Sequence, residues 1–306
     1  MTNNNGFVLG MDIGGTNTRS AFIDNDKNVH HFNIVKSNEL FGDNAVSNFV
    51  DYIGGLIKEA DLPGPLLAIS AGFPAAVDQN RGKIISTPNL KGLNNIEMAD
   101  ILKQKFEIPA FVSRDACMLL FYDMYANNLP KDAIIIGCYF GTGIGNGVYI
   151  NGKLLTGKNG VACELGHIPV YGVETICGCG NKGCTETIAS GRHLFQLHQQ
   201  HFPDVLIADI FEKYGSHRIL QDYVRAMAIP IAAEINIFDP HYTILGGGVL
   251  QMKGFPKKEF EAAVLEHTRK PYPACNLELI YTVEAKMNGV IGAGILGFEH
   301  LEEAVL

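Results

Sequence analysis

The chain has no surplus of basic residues. It carries 24 Lys and Arg against 32 Asp and Glu, a formal net charge of −8. Nucleic acid or an anionic membrane surface as main partner would need a basic face, so both are excluded. A continuous apolar run of about 18 residues is also missing, so no membrane span is expected. The opening Met-Thr-Asn-Asn-Asn has neither the basic nor the apolar region of a signal peptide, which predicts a cytoplasmic protein. No low-complexity segment or linker-like run interrupts the chain. No Gly-Lys-Ser/Thr follows any glycine turn, and Gly143-Ile-Gly145 lacks the GxGxxG spacing. Walker A and Rossmann phosphate loops are therefore excluded. What remains is 306 residues, 47% hydrophobic and 18% charged. That is an ordinary globular composition with ample core, at a length that predicts two domains.

The densest chemistry lies in Glu164-Leu-Gly-His167, Cys177-Gly-Cys179, Cys184 and Glu186. One imidazole and three thiols separated by glycines match a closed tetrahedral Zn²⁺ site of the Cys3His kind. Glycine lets the loop turn tightly enough for the thiols to converge on one ion. Glu164 and Glu186 flank these ligands and are left for another task, so the loop is expected beside a substrate pocket. An odd count of seven cysteines in a reducing cytosol excludes a disulfide framework. Cys117, Cys138, Cys163 and Cys275 sit among apolar residues and are expected in the core.

Phe7 to Ile13 is an apolar run that enters Asp12-Ile-Gly14-Gly15-Thr16, and a second apolar run leaves it. This pattern predicts a β-hairpin whose turn exposes backbone N–H groups able to cradle phosphate oxygens. Asp12 at the strand end would hold Mg²⁺ through water, and Thr16 offers a hydroxyl. The design recurs about 130 residues later at Phe140-Gly141-Thr142-Gly143-Ile-Gly145, which points to an internal duplication with one copy per domain. Two such loops suit a nucleotide whose phosphates lie in a cleft between the domains. A third cluster, Gly246-Gly247-Gly248, follows a strand, where open α/β sheets bind ligands. Bare backbone there would let adenine or ribose approach.

Leu220, Val224, Met227, Ile231 and Ile235 recur at helical spacing, and Pro240 stops that helix. Asp115 is expected to open a helix running to about residue 127, as its N-cap. His30-His31 is expected to be solvated at a strand edge. Alternating strands and helices, each half led by a hairpin, predict an α/β protein with two mixed sheets.

These segments together resemble the ROK family of sugar kinases and repressors, within the actin-like and hexokinase-like fold. The resemblance spans essentially the whole chain. It implies two RNase-H-like domains around a nucleotide cleft. The expected division is 1–116 completed by a C-terminal helix 289–306, with 117–288 forming the larger domain and the zinc loop. It further implies ATP, Mg²⁺ and Zn²⁺, a small-molecule sugar substrate and a homodimer. The family's base falls on Asp115 of Val112-Ser-Arg114-Asp115-Ala116. Its nucleotide contacts fall on Asp12, Gly14, Gly15, Thr16, Gly141, Thr142, Gly143, Gly246, Gly247 and Gly248. Its sugar contacts fall on Asn89, Asp115, Glu164, His167 and Glu186, and its zinc ligands on His167, Cys177, Cys179 and Cys184.

Two departures stand out. Arg114 replaces the Asn that usually precedes the base and bonds a sugar hydroxyl. Arg is longer, charged and carries five donors, so the usual glucose contact does not transfer. Arg114 is expected to reshape the sugar site, by donating to a hydroxyl or by pairing with a carboxylate. Gly72-Phe-Pro74-Ala75 stands where Gly-x-Pro-Gly is common. Both, with Ile85-Ser-Thr-Pro-Asn89, look like the D-allose kinases of the family, with glucose, fructose and N-acetylmannosamine as other candidates. The repressors of the family carry a DNA-binding segment before the first phosphate loop. Only six residues precede the first strand here, so a kinase is expected over a repressor or a sugar-binding pseudokinase.

Overall fold

The computed structural model describes residues 6–88, 90–283 and 285–303. Asn89 lies outside them, so its expected sugar contact is not placed. The chain divides into two compact units, Met1–Leu129 with Thr156–Ala162 and Ala285–Leu306, and Pro130–Leu155 with Cys163–Glu284.

In the first unit, β1 (Phe7–Ile13), β2 (Asn17–Ile23), β3 (Val29–Lys36), β4 (Leu66–Phe73) and β5 (Ala110–Arg114) form one sheet. Its order is β3-β2-β1-β4-β5. The first three strands are antiparallel, and β4 and β5 run parallel to β1 and β4. β1 is apolar on both faces because both are covered. Phe7, Leu9, Met11 and Ile13 share a cluster with Phe49 and Ile53 of α1 (Ala45–Glu59) and Leu102 of α2 (Met98–Phe106). On the opposite face the C-terminal helix, Asn288–Glu303, packs against β1, β4 and α3 (Asp115–Ala126). Gly10 permits this approach, since a Cβ there would lie 2.3 Å from the Val290 carbonyl oxygen.

The second unit repeats the plan. β6 (Ile134–Phe140), β7 (Ile144–Ile150), β8 (Lys153–Leu154), β9 (Tyr242–Gly246) and β10 (Leu279–Tyr281) are ordered β8-β7-β6-β9-β10. Again the first three strands are antiparallel and the last two parallel. Helices α4 (Gly191–His201), α5 (Arg218–Phe238) and α6 (Lys257–His267) complete it. Leu220, Val224, Met227, Ile231 and Ile235 are all buried, as their spacing predicts. α5 runs through Pro230 and ends at Asp239, whose φ of 45° breaks the helix before Pro240.

Several boundaries differ from the sequence reading. The first unit extends to 129 rather than 116, because α3 packs against the C-terminal helix. It also takes in 156–162. The helical turn Glu186–Ala189 stops at Ser190, which caps α4 by accepting from His193 N–H at 3.3 Å. Asp115 is the first residue of α3 and not its N-cap. That place is Arg114, and Asp115 Oδ1 accepts from Ala116 N–H at 2.8 Å. Cys275 is exposed and Cys163 partly so, while Cys117 and Cys138 are core residues. His30 is tied to Asp24 at 2.9 Å and meets the edge of Phe7, so it is not simply solvated. No helix among the described residues is long and apolar enough to cross a membrane.

Candidate active site

The β1–β2 turn places Asp12 opposite Arg19, and Arg19 Nη1 reaches Asp12 Oδ2 at 3.2 Å. Burial raises the Asp12 pKa and Arg19 pulls it back. Gly14 N–H donates to the Asn17 carbonyl at 2.9 Å, which closes the turn and leaves Gly15 and Thr16 exposed. Ser37 braces the turn from β3's end. Its hydroxyl donates to the Gly14 carbonyl at 2.6 Å, and its N–H donates to the Thr16 carbonyl at 3.0 Å. Sequence reasoning missed Ser37 and Arg19. Ser37 is remote in sequence and carries no local signal. Arg19 could have been found, because hairpin register sets it across from Asp12.

The β6–β7 turn sits at the same place in the second sheet. Thr142 is exposed, and Gly141 has open space where a side chain would stand. The N-terminus of α4 secures this turn, with Gly191 N–H donating to the Gly141 carbonyl at 2.9 Å and Arg192 N–H to Thr142 at 3.1 Å. Glu186 reaches it too, accepting from Ile144 N–H at 3.0 Å. A Cβ on Gly143 would lie 2.3 Å from that carboxylate. Gly246 is buried, and Gly247, at φ 94°, lies against the Phe140 backbone. Their lack of side chains is accounted for by packing inside this unit. Gly248 alone of the three is exposed.

His167, Cys177, Cys179 and Cys184 come together as expected. One ligand atom from each lies within 4.8 Å of all the others. His167 Nδ1 is 3.6 Å from Cys177 Sγ, and Cys179 Sγ is 3.6 Å from Cys184 Sγ. Thiolates on a tetrahedral zinc at 2.3 Å would be about 3.8 Å apart, so the donor set fits that ion. Nδ1 faces the thiols. Nε2 lies 3.6 Å from Glu164 Oε2, which leaves this edge of the ring beside a carboxylate.

Asp115 stands where β5 gives way to α3 in the first unit. Beside it, Arg114 Nη1 donates to the Ala162 carbonyl at 2.5 Å. The structure therefore gathers the predicted residues into two sets. Asp12, Gly14, Gly15, Thr16, Arg114 and Asp115 belong to the first unit. Gly141 to Gly143, Glu164, His167, the three cysteines, Glu186 and Gly246 to Gly248 belong to the second.

Comparison with known proteins agrees with this architecture. The family model described as "ROK family" matches residues 8–299. A glucokinase of Thermotoga maritima is 25% identical over 263 residues, covering 79% of this chain and 82% of that one. A xylose repressor of Caldicellulosiruptor bescii is 29% identical over 216 residues, 64% of this chain. The match spans 54% of that repressor, about half its length. Among solved structures, a ROK family glucokinase from Streptomyces griseus in complex with glucose and AMPPNP superimposes with a TM-score of 0.76. It is 24% identical and covers 96% of this chain and all of that one, a likeness of fold.

Proposed function

This chain belongs to the ROK family, and we propose that it transfers the γ-phosphoryl group of ATP to the 6-hydroxyl of an aldohexose, with D-allose the preferred sugar. The observation that carries the reading is the repetition of one sheet plan, each copy opening on a hairpin turn with exposed backbone, together with an acid that follows β5 in the first unit. Turns of this kind suit phosphate oxygens, and phosphoryl transfer depends chiefly on positioning and charge neutralisation. A glucokinase relative and the AMPPNP complex of a protein of the same fold support ATP as donor.

Asp115 is the general base and accepts the proton of the attacking hydroxyl. Asp12, its carboxylate fixed by Arg19, would hold Mg²⁺. Mg²⁺ would supply neutralisation of the phosphate charge. Asn89, Glu164, His167 and Glu186 hold the sugar hydroxyls. His167, Cys177, Cys179 and Cys184 would hold a structural Zn²⁺, which would fix the loop between Glu164 and Glu186 and the orientation of the His167 ring. Arg114 in place of Asn is the feature that favours allose, the C3 epimer of glucose. The enzyme works as a cytoplasmic homodimer.

The repressor relative favours one other reading, a sugar-responsive protein without catalysis. Purified protein incubated with ATP–Mg²⁺ and a panel of allose, glucose, fructose and N-acetylmannosamine decides between them. The expected result is a sugar 6-phosphate, with allose ahead of glucose by about ten- to a hundredfold in kcat/KM. Glucose ahead of allose overturns the allose assignment, and no product from any sugar overturns the kinase.

A further inference from the structure

The segment Thr156–Ala162 leaves the second unit after β8, joins the first, and returns to the second at Cys163. It is a strap with two fastenings. Gly160, at φ 77°, presses on the strand Ala76–Val77, where a Cβ would lie 2.1 Å from the Val77 carbonyl oxygen. Only glycine fits both that backbone and that approach. At the other end Arg114 Nη1 donates to the Ala162 carbonyl at 2.5 Å. Between them the strap closes on itself, Ala162 N–H donating to the Thr156 carbonyl at 3.0 Å. Two residues beyond the Arg114 fastening is Glu164, which stands 3.6 Å from His167. The link between them, Cys163, holds a φ of 66°, a conformation seldom adopted by a residue with a side chain.

We propose that Arg114 is a positioning residue: it acts on the sugar through the strap, by pinning the Ala162 carbonyl and so setting where Glu164 stands. This rests on the kinase reading and refines it, because the residue that departs from the family pattern works through backbone and not through a hydroxyl. A cationic donor to a carbonyl is one of the stronger hydrogen bonds, and a neutral Asn is too short to replace it.

Lys158 is exposed within the strap and gives a direct readout. Trypsin cleavage after Lys158, followed by peptide mass spectrometry, reports how often the strap opens. Arg114→Ala should speed that cleavage about tenfold, raise the sugar KM about tenfold and leave the KM for ATP within about twofold. Arg114→Lys, which keeps a donor, should restore both effects in part. Gly160→Ala loosens the other fastening without touching Arg114 and should reproduce the same pair of changes. A raised sugar KM in Arg114→Ala with unchanged cleavage means direct contact with the sugar and overturns the proposal. So does faster cleavage in Gly160→Ala with a wild-type sugar KM. The proteolysis needs no turnover, so failure of the strap is distinguishable from failure of the kinase reading.

Discussion

Glu186 Oε2 accepts the backbone N–H of Ile144 at 3.0 Å, so an acid expected at the sugar also braces the second glycine turn. Gly143 leaves room for it, and a methyl group there would collide with the carboxylate. On the proposed function, sugar and phosphate recognition in the second unit would share this one side chain. Gly143→Ala should displace Glu186 and raise the KM of sugar and ATP together, each about tenfold. A rise confined to ATP would mean that Glu186 holds its sugar contact without the turn.

Asp115→Asn removes the proposed proton acceptor and almost no volume. The expected loss is about 10²- to 10⁴-fold in kcat, with sugar affinity by calorimetry close to wild type. A variant retaining more than about a third of wild-type kcat takes the base role away from Asp115. The acid's place as the first residue of α3 adds a structural part, since its carboxylate accepts the Ala116 N–H. Asn keeps an oxygen for that bond, so the melting temperature should hardly move.

Metal content is a separate check. Elemental analysis should find about one zinc per chain, released by a chelator with loss of sugar affinity before ATP affinity. His167 carries this expectation best, because Nδ1 faces Cys177 while Nε2 faces Glu164. Active enzyme prepared without metal and found free of zinc would contradict it.

A pH effect should arise away from these sites. Glu234 is buried on α5, and its Oε2 accepts from Cys138 Sγ at 3.2 Å and Asn146 Nδ2 at 3.0 Å. Burial pushes its carboxyl from 4.5 to about 7, against the pull of those two hydrogen bonds. An acid with a raised folded-state pKa holds its proton more tightly when folded. Its contribution to stability is full below the unfolded pKa and is lost as pH rises through the folded one. Wild type should therefore lose on the order of 3 kcal/mol relative to Glu234→Gln between about pH 4.5 and pH 7. Parallel melting curves for the two proteins across that range would show that Glu234 is ionised in the fold throughout.

Hairpins, long helices and the convergence of the Cys/His loop were legible because each is a local pattern. Apolar runs broken by Asp-Ile-Gly-Gly-Thr and Gly-Thr-Gly set β1–β2 and β6–β7, and five apolar residues at helical spacing set the buried face of α5. His167 and three cysteines converge because glycines let a short loop turn, which needs nothing from the rest of the chain. Other features depend on residues far apart in sequence. The place of Ser37 under the first turn follows from the return of β3, and the packing of α3 against the C-terminal helix moved the unit boundary to 129. The partner of Arg114 was the least legible, because a side chain with five donors takes whichever acceptor folding brings within reach. The resemblance to the family could mark Arg114 as a departure; only the path of residues 156–162 decided that it holds the Ala162 carbonyl.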